Sequence, residues 1–202
     1  GGWVGAGWNA ATLPQRQCNV HRDLAPSERR GDSGTLLVGQ PSRPAGNVRE
    51  LIKLAKSKPG QLNFASAGNG SAGHLVMEMF RSAAQINVVH IPYKGAGPAA
   101  TDVMAGQVTL LFNNPLGSIP HVRSGRLRSL GISSARRIDA MPEVPTIAES
   151  GLPDFEATFF LGLLGPFALP RDTVTRLNAE TVKIVRRRDF QALRALLGCE
   201  AM

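Results

Sequence analysis

Apolar positions along this chain fall into two alternating periods from Asn47 onward. In "NVRELIKLAKSKPG", Val48, Leu51, Ile52, Leu54 and Ala55 recur at helical spacing behind an Asn that can cap the first turn. A basic last turn and a Pro-Gly pair close the segment, so a helix is predicted. A strand-like run then leads through a glycine-containing loop into a helical pattern three times. "QLNFAS" passes through "AGNGS" into "AGHLVMEMFRSAA", "NVVHIP" through "YKGAG" into "PAATDVMAG", and "VTLLFN" through "NPLGS" into "IPHVRSG". A fourth strand is read in "LRSLGISS". Strands alternating with short helices predict an α/β fold with a mostly parallel sheet and right-handed crossovers.

The flanks are less regular. Residues 1–45 are rich in Gly, Pro, Arg and Ser, and only "TLLVG" at 35–39 reads as a strand. This segment is left unassigned and expected to pack loosely, with early tryptic cutting at Arg16, Arg22, Arg29 and Arg30. After the fourth strand, "MPEVPTIAESGLPDFEA" reads as a Pro-rich linker and "TFFLGLLGPFAL" as an apolar run. The tail is helical, with apolar Val174, Leu177, Val182, Ile184, Val185, Phe190, Leu193 and Leu196 and a break near Arg188-Asp189. No window holds the roughly 20 unbroken apolar residues of a membrane span. The first residues show no signal-peptide pattern, which carries no information about compartment in a chain that does not begin with Met.

The 202 residues are 43% apolar, enough to build a core for one large or two small domains. A net charge of +8 raises the question of a nucleic acid partner. The basic residues are scattered, clustering only at Arg29-Arg30, Arg136-Arg137 and Arg186-Arg187-Arg188, and aromatic residues that could stack bases are few. A solvated basic surface is therefore expected, with no nucleic acid. Cys18 and Cys199 lack metal or CxxC spacing, and their state is left open.

In a doubly wound sheet, ligands lie beyond the carboxyl ends of the strands. The three loops named above all leave such ends, with helix amino termini behind them, an arrangement suited to an anion. In the first loop Gly68, Gly70 and Gly73 would let backbone approach a ligand, and Ser71 would cap the helix; the alternative is that the glycines only shape a tight turn. The loop matches neither phosphate-binding glycine motif. Around Ser71 the string is "NGSAG", with Asn69 where a hydrolase elbow has its first Gly, although Asp102 and His121 follow in hydrolase order. His74 and Glu78 share a helix face but lack a third metal ligand, so no metal is expected. His90 reads as a satisfied strand histidine. Lys94, directly after a strand, is either a partner for a carboxylate or a surface lysine.

The ordered motifs "NVRELIKLAKSKPGQLNFASAGNGSAGHL", "VVHIPYKGAGPAATDVMAGQV", "LLFNNPLGSIPHVRSGRLRSLGISSARR", "MPEVPTIAESGLPDFEAT" and "LNAE", over about three quarters of the chain, resemble the Bug family, the solute receptors of bacterial tripartite tricarboxylate transporters. The resemblance implies a periplasmic binding protein fold of type II, two doubly wound α/β lobes joined by crossing strands and closing on a small carboxylate without chemistry or cofactor. It implies periplasmic localisation, the transporter's membrane components as partners, and a monomer. It places a ligand carboxylate on the "AGNGS" loop, giving Ser66, Ala67, Gly68, Asn69, Gly70 and Ser71 as site residues, with Tyr93, Lys94, Gly95, Asn113 and Asn114 from the neighbouring loops.

Two departures qualify that expectation. The family's P-x-x-P-G-G loop, which grips the other carboxylate, is not found, so one lobe is expected to be incomplete and binding weakened. Asn113 stands in "LLFNN" where the family often has F-D-N, which favours a di- or tricarboxylate or an aromatic acid over an amino acid. The expected division is an atypical segment 1–45, a remainder of the first lobe from 46–60 plus 159–202, and a second lobe 61–158 bearing the ligand loops, with "LNFAS" and "FFLGLLGP" as crossing strands. The alternatives are a small α/β hydrolase using Ser71 and a fragment without function.

Overall fold

The computed structural model describes residues 24–42, 44–166 and 169–191. Cys18, Cys199, Arg16, Arg22, Leu193 and Leu196 lie outside the described residues. Among the described residues, strands β1 (Leu24–Gly34) and β2 (Leu36–Gly39) precede helix α1 (Val48–Ser57). Then come β3 (Leu62–Ser66), α2 (Ala72–Ala84), β4 (Val88–Pro92), α3 (Ala96–Met104), β5 (Leu110–Asn113), α4 (Pro115–Arg123) and β6 (Arg128–Ile132). Strand β7 (Thr158–Pro166) and helix α5 (Arg171–Val185) complete the order. No helix among these residues is long and apolar enough to cross a membrane.

The predicted strand–helix alternation is present, and its caps are those the residues dictate. Asn47 accepts from the Glu50 N–H at 2.9 Å, and Ser71 and Asn114 cap the helices that follow them. The sheet order is β4-β3-β5-β2-β6, with β3 parallel to both β4 and β5. Strand β2 lies antiparallel between β5 and β6, pairing Leu36 with Asn113 on one side and Ile132 on the other. It enters directly from β1 without a helical crossover, so it need not run parallel.

Side chains from the two faces build two apolar clusters. One holds Leu37, Val48, Leu51, Phe64, Met77, Phe80, Phe112 and Leu130; the other holds Leu36, Val38, Ala65, Val103, Leu111, Ile119, Leu127 and Ile132. Helices α1 and α2 cover the first face and α3 and α4 the second, the layering of a doubly wound α/β domain. Leu130 and Ile132 enter opposite clusters although two positions apart, because the register slips beside them: Leu37 opposes Gly131 while Val38 opposes Ser129.

Several expectations are corrected. "LNFAS" is not a crossing strand, for β3 is paired on both sides inside the sheet; the partner of "FFLGLLGP" is β1, antiparallel. Residues 34–39 are not loosely packed: Leu36, Leu37 and Val38 are fully buried, a continuous apolar run suited to a central strand covered on both faces. Residues 46–60 do not stand apart from 61–158, since Val48, Leu51 and Ala55 share one cluster with Phe64 and Phe80. The supposed linker is part of the body: Met141, Val144, Ile147 and Phe155 are buried, and Thr146 and Glu149 cap each other's backbone N–H groups. "NPLGS" is the start of α4 rather than a loop before it. Gly73 serves packing, because a Cβ there would lie 2.2 Å from the Phe112 carbonyl oxygen.

Where β1 turns into β2 and β7 begins, a buried knot joins three segments. Ser133 Oγ accepts the Thr35 N–H at 2.8 Å and donates to the Ala157 carbonyl at 2.6 Å. Backbone bonds run from Ser133 N–H to Thr35 and from Ala157 N–H to Ser133. Ser133→Ala leaves the Thr35 donor without its acceptor inside the protein, and a loss of about 1–3 kcal/mol in unfolding free energy is expected from urea melts. Gly73→Ala drives a methyl into backbone rather than into a yielding side chain, so the same melts should show a larger loss for it than for Ser133→Ala.

Candidate functional site

The carboxyl ends of β3, β4 and β5 present the three loops at one edge. The first is shaped from within. Gly68 and Gly70 have φ of +131° and +73°, which a side chain rarely tolerates. The Gly68 N–H donates to Ser66 Oγ at 3.1 Å, and the Ser71 N–H to the Gly68 carbonyl at 3.1 Å. Gly70 donates its N–H to His74 Nδ1 at 3.1 Å, while Ser71 Oγ accepts the His74 N–H at 3.4 Å. The N–H groups of Asn69, Ala72 and Gly73 are not used in these bonds, and at the positive end of the helix dipole they suit an anion.

Asn113 closes β5 beside this loop. It is only 8% exposed, and its side-chain amide bonds to no described residue. Asn114 is spent on its helix, accepting the Gly117 N–H at 2.7 Å. Gly95 precedes α3 with φ +124° and offers no side-chain cap, so the first turn of that helix also opens at the edge. Lys94 is exposed there. The Tyr93 hydroxyl donates to Asp102 at 2.5 Å, and that bond, chiefly, pushes its pKa up to about 12.

Two residues that sequence reasoning set aside belong to this region. Parallel pairing of Phe64 with His90 puts both on the face covered by α2, and Ser66, two positions on, shares it. The rings of Phe64 and His90 stack at 4.7 Å, and those of His90 and His74 at 4.0 Å and 11°. His90 Nε2 lies 2.7 Å from Ser66 Oγ. A helix residue stacked on a strand residue 16 positions later leaves no periodic signal. No hydrogen bond joins Ser71, His121 and Asp102: the Asp102 carboxylate is held by Tyr93, His121 Nδ1 is buried without a partner among the described residues, and Ser71 Oγ caps α2. No group of three metal-ligating side chains occurs among the described residues.

Comparison with known proteins adds a family. The model of the tripartite tricarboxylate transporter family receptor matches residues 10–202. Protein BugT of Bordetella pertussis is 37% identical over 168 residues, covering 82% of this chain and 51% of BugT. Among solved structures, Rpa4515 of R. palustris with adipate superposes with a TM-score of 0.86 at 29% identity, over 91% of this chain and 62% of that one. MatC of Rhodopseudomonas palustris with bound malate gives 0.90 at 26% identity, over 98% and 68%. The chain spans about half the length of the sequence relatives it matches.

Burial first, and then the neighbouring His74, lower the His90 pKa to about 4 from 6.5, and burial lowers that of His74. Below pH 6.5 the unfolded chain therefore takes up protons that the folded chain refuses, so stability falls as pH drops from about 6.5 towards 4. Melting temperatures across that range should decline less steeply in His90→Phe than in the parent chain.

Proposed function

Because the chain belongs to the tripartite tricarboxylate transporter receptor family, we propose that it is an extracytoplasmic solute receptor whose "AGNGS" loop takes a small carboxylate. The observation that carries the reading is the edge formed by residues 66–71 and Asn113: left-handed glycines, unused N–H groups at a helix amino terminus, and a buried amide bonded to no described residue. Ser66, Ala67, Gly68, Asn69, Gly70 and Ser71 surround the carboxylate. Asn113 and the free α3 turn after Gly95 receive the rest of the ligand, and Lys94 adds positive charge at the rim. Tyr93 and Asn114 shape their loops through the bonds described above.

Receptors of this family are periplasmic, and we place the chain there, as a monomer that delivers its ligand to the membrane components of a tripartite transporter. The body from residue 34 to 158 forms one lobe, its ligand loops lying within 61–158. The β1–β7 ribbon is the connection to the other lobe, and the Ser133 knot lies at the point where both connecting strands meet the body. Binding without chemistry accords with a Ser71 hydroxyl that caps α2 and an Asp102 carboxylate held by Tyr93.

Adipate in Rpa4515 and malate in MatC indicate the size of ligand to try. A neutral Asn113 gives an ammonium group no carboxylate to pair with, so a dicarboxylate should be preferred over glutamate. Thermal-shift assays should show adipate or malate raising the melting temperature, by the equivalent of about 2.7 kcal/mol at a hundred times Kd, with glutamate giving less. Gly70→Val should melt cooperatively yet lose the shift; a folded Gly70→Val that keeps it removes the loop from the site. Asn113→Asp should weaken dicarboxylate binding about tenfold or more, through like charges held close together.

A further inference from the structure

The geometry points to His74 as a positioning residue: its neutral imidazole, through Nδ1, holds the Gly70 N–H and so keeps residues 67–71 in the shape that receives a carboxylate. The inference rests on the reading of that loop as the ligand site. Gly70 sits at φ +73°, and the direction of its N–H sets the course of the loop; among the described residues that N–H donates to His74 Nδ1, at 3.1 Å. An accepting Nδ1 leaves the imidazole proton on Nε2, which lies 4.0 Å from Glu78.

The ring cannot easily turn away. It lies 4.0 Å from the His90 ring, which stacks in turn on Phe64, a fully buried core residue. His90 is itself held at Nε2 by Ser66 Oγ, the hydroxyl that accepts the Gly68 N–H. Both left-handed glycines of the loop are thus anchored to one column of rings that rises from the core. The titratable and charged groups facing His74 are Glu78 and Arg81 on its own helix, joined to each other at 2.8 Å, and His90 on β4.

Protonation of His74 turns Nδ1 into a donor pointed at another donor, and the hold on Gly70 is lost. The added positive charge would attract an anion, but Glu78 screens it, whereas the clash at Nδ1 is direct. The brace therefore governs the sign: affinity falls as His74 gains a proton.

Two substitutions separate the acceptor from the ring. Asn places Oδ1 where His has Nδ1 and does not titrate; Phe keeps the ring and has no acceptor. In the unliganded, 15N-labelled full chain, long-range NMR should show His74 neutral at pH 7.5 with its proton on Nε2, and the Gly70 amide should shift as His74 titrates. Calorimetry with adipate should show His74→Phe weaker by about 2- to 12-fold at pH 7.5, the span of one lost hydrogen bond, with His74→Asn near the parent. Between pH 7.5 and 5.5 the parent should lose more affinity than His74→Asn, which reports the titration of adipate itself. A proton on Nδ1, a Gly70 amide indifferent to the titration, or parent-like binding by a folded His74→Phe overturns the inference, as does affinity that rises on acidification relative to His74→Asn. If neither adipate nor malate binds the parent, the carboxylate reading fails, while the unliganded NMR measurement still decides the brace.

Discussion

The architecture depends on the backbone hydrogen bonding of one four-residue strand. Leu36–Gly39 is paired on both sides, and without it β5 and β6 would each present an open ladder in the middle of the protein. Its three large side chains are wholly buried and divide between the two faces, so the same strand ties the α1–α2 layer to the α3–α4 layer. Because it runs antiparallel, its first residue stands at the carboxyl edge of its neighbours. That brings Gly34 and Thr35, and with them the whole β1–β7 ribbon, to the side of the sheet where the loops after β3, β4 and β5 lie.

The same edge shows how backbone geometry and side-chain packing divide the work of making a site. Left-handed Gly68 and Gly70 set the path of the loop, and the Gly73 contact with Phe112 presses α2 onto β5 so that its amino end arrives there. What holds the loop once it has formed is a polar column resting on an apolar base, with Phe64 below, His90 and His74 stacked above and Ser66 at the side. Two imidazoles in van der Waals contact resist charging together, which favours a neutral column and keeps His74 Nδ1 available as an acceptor.

The carboxylate site proposed for this chain, with the support of family membership and the likeness to carboxylate-bound structures, is built from backbone N–H groups and amides rather than from nucleophiles or metal ligands. A receptor must release what it binds. Neutral hydrogen-bond donors and one rim cation fit that need better than buried charge pairs, whose separation is costly.

Much of the body was legible along the chain. The period of apolar residues located α1, α2 and all the strands of the sheet, Asn47 and Ser71 announced their helices, and the glycine loops pointed to one edge, because these signals are local and repeat within a few residues. Five ordered motifs carried the family. Only the tertiary structure placed Leu36–Gly39 inside the sheet between β5 and β6, joined α1 to the core of β3 and α2, and turned a Pro-rich stretch into packed structure. It also reassigned Gly73 from the ligand to packing and brought His74 against His90. Each of these is set by a contact between residues distant in sequence, and composition and spacing do not encode which distant surface a buried residue will meet.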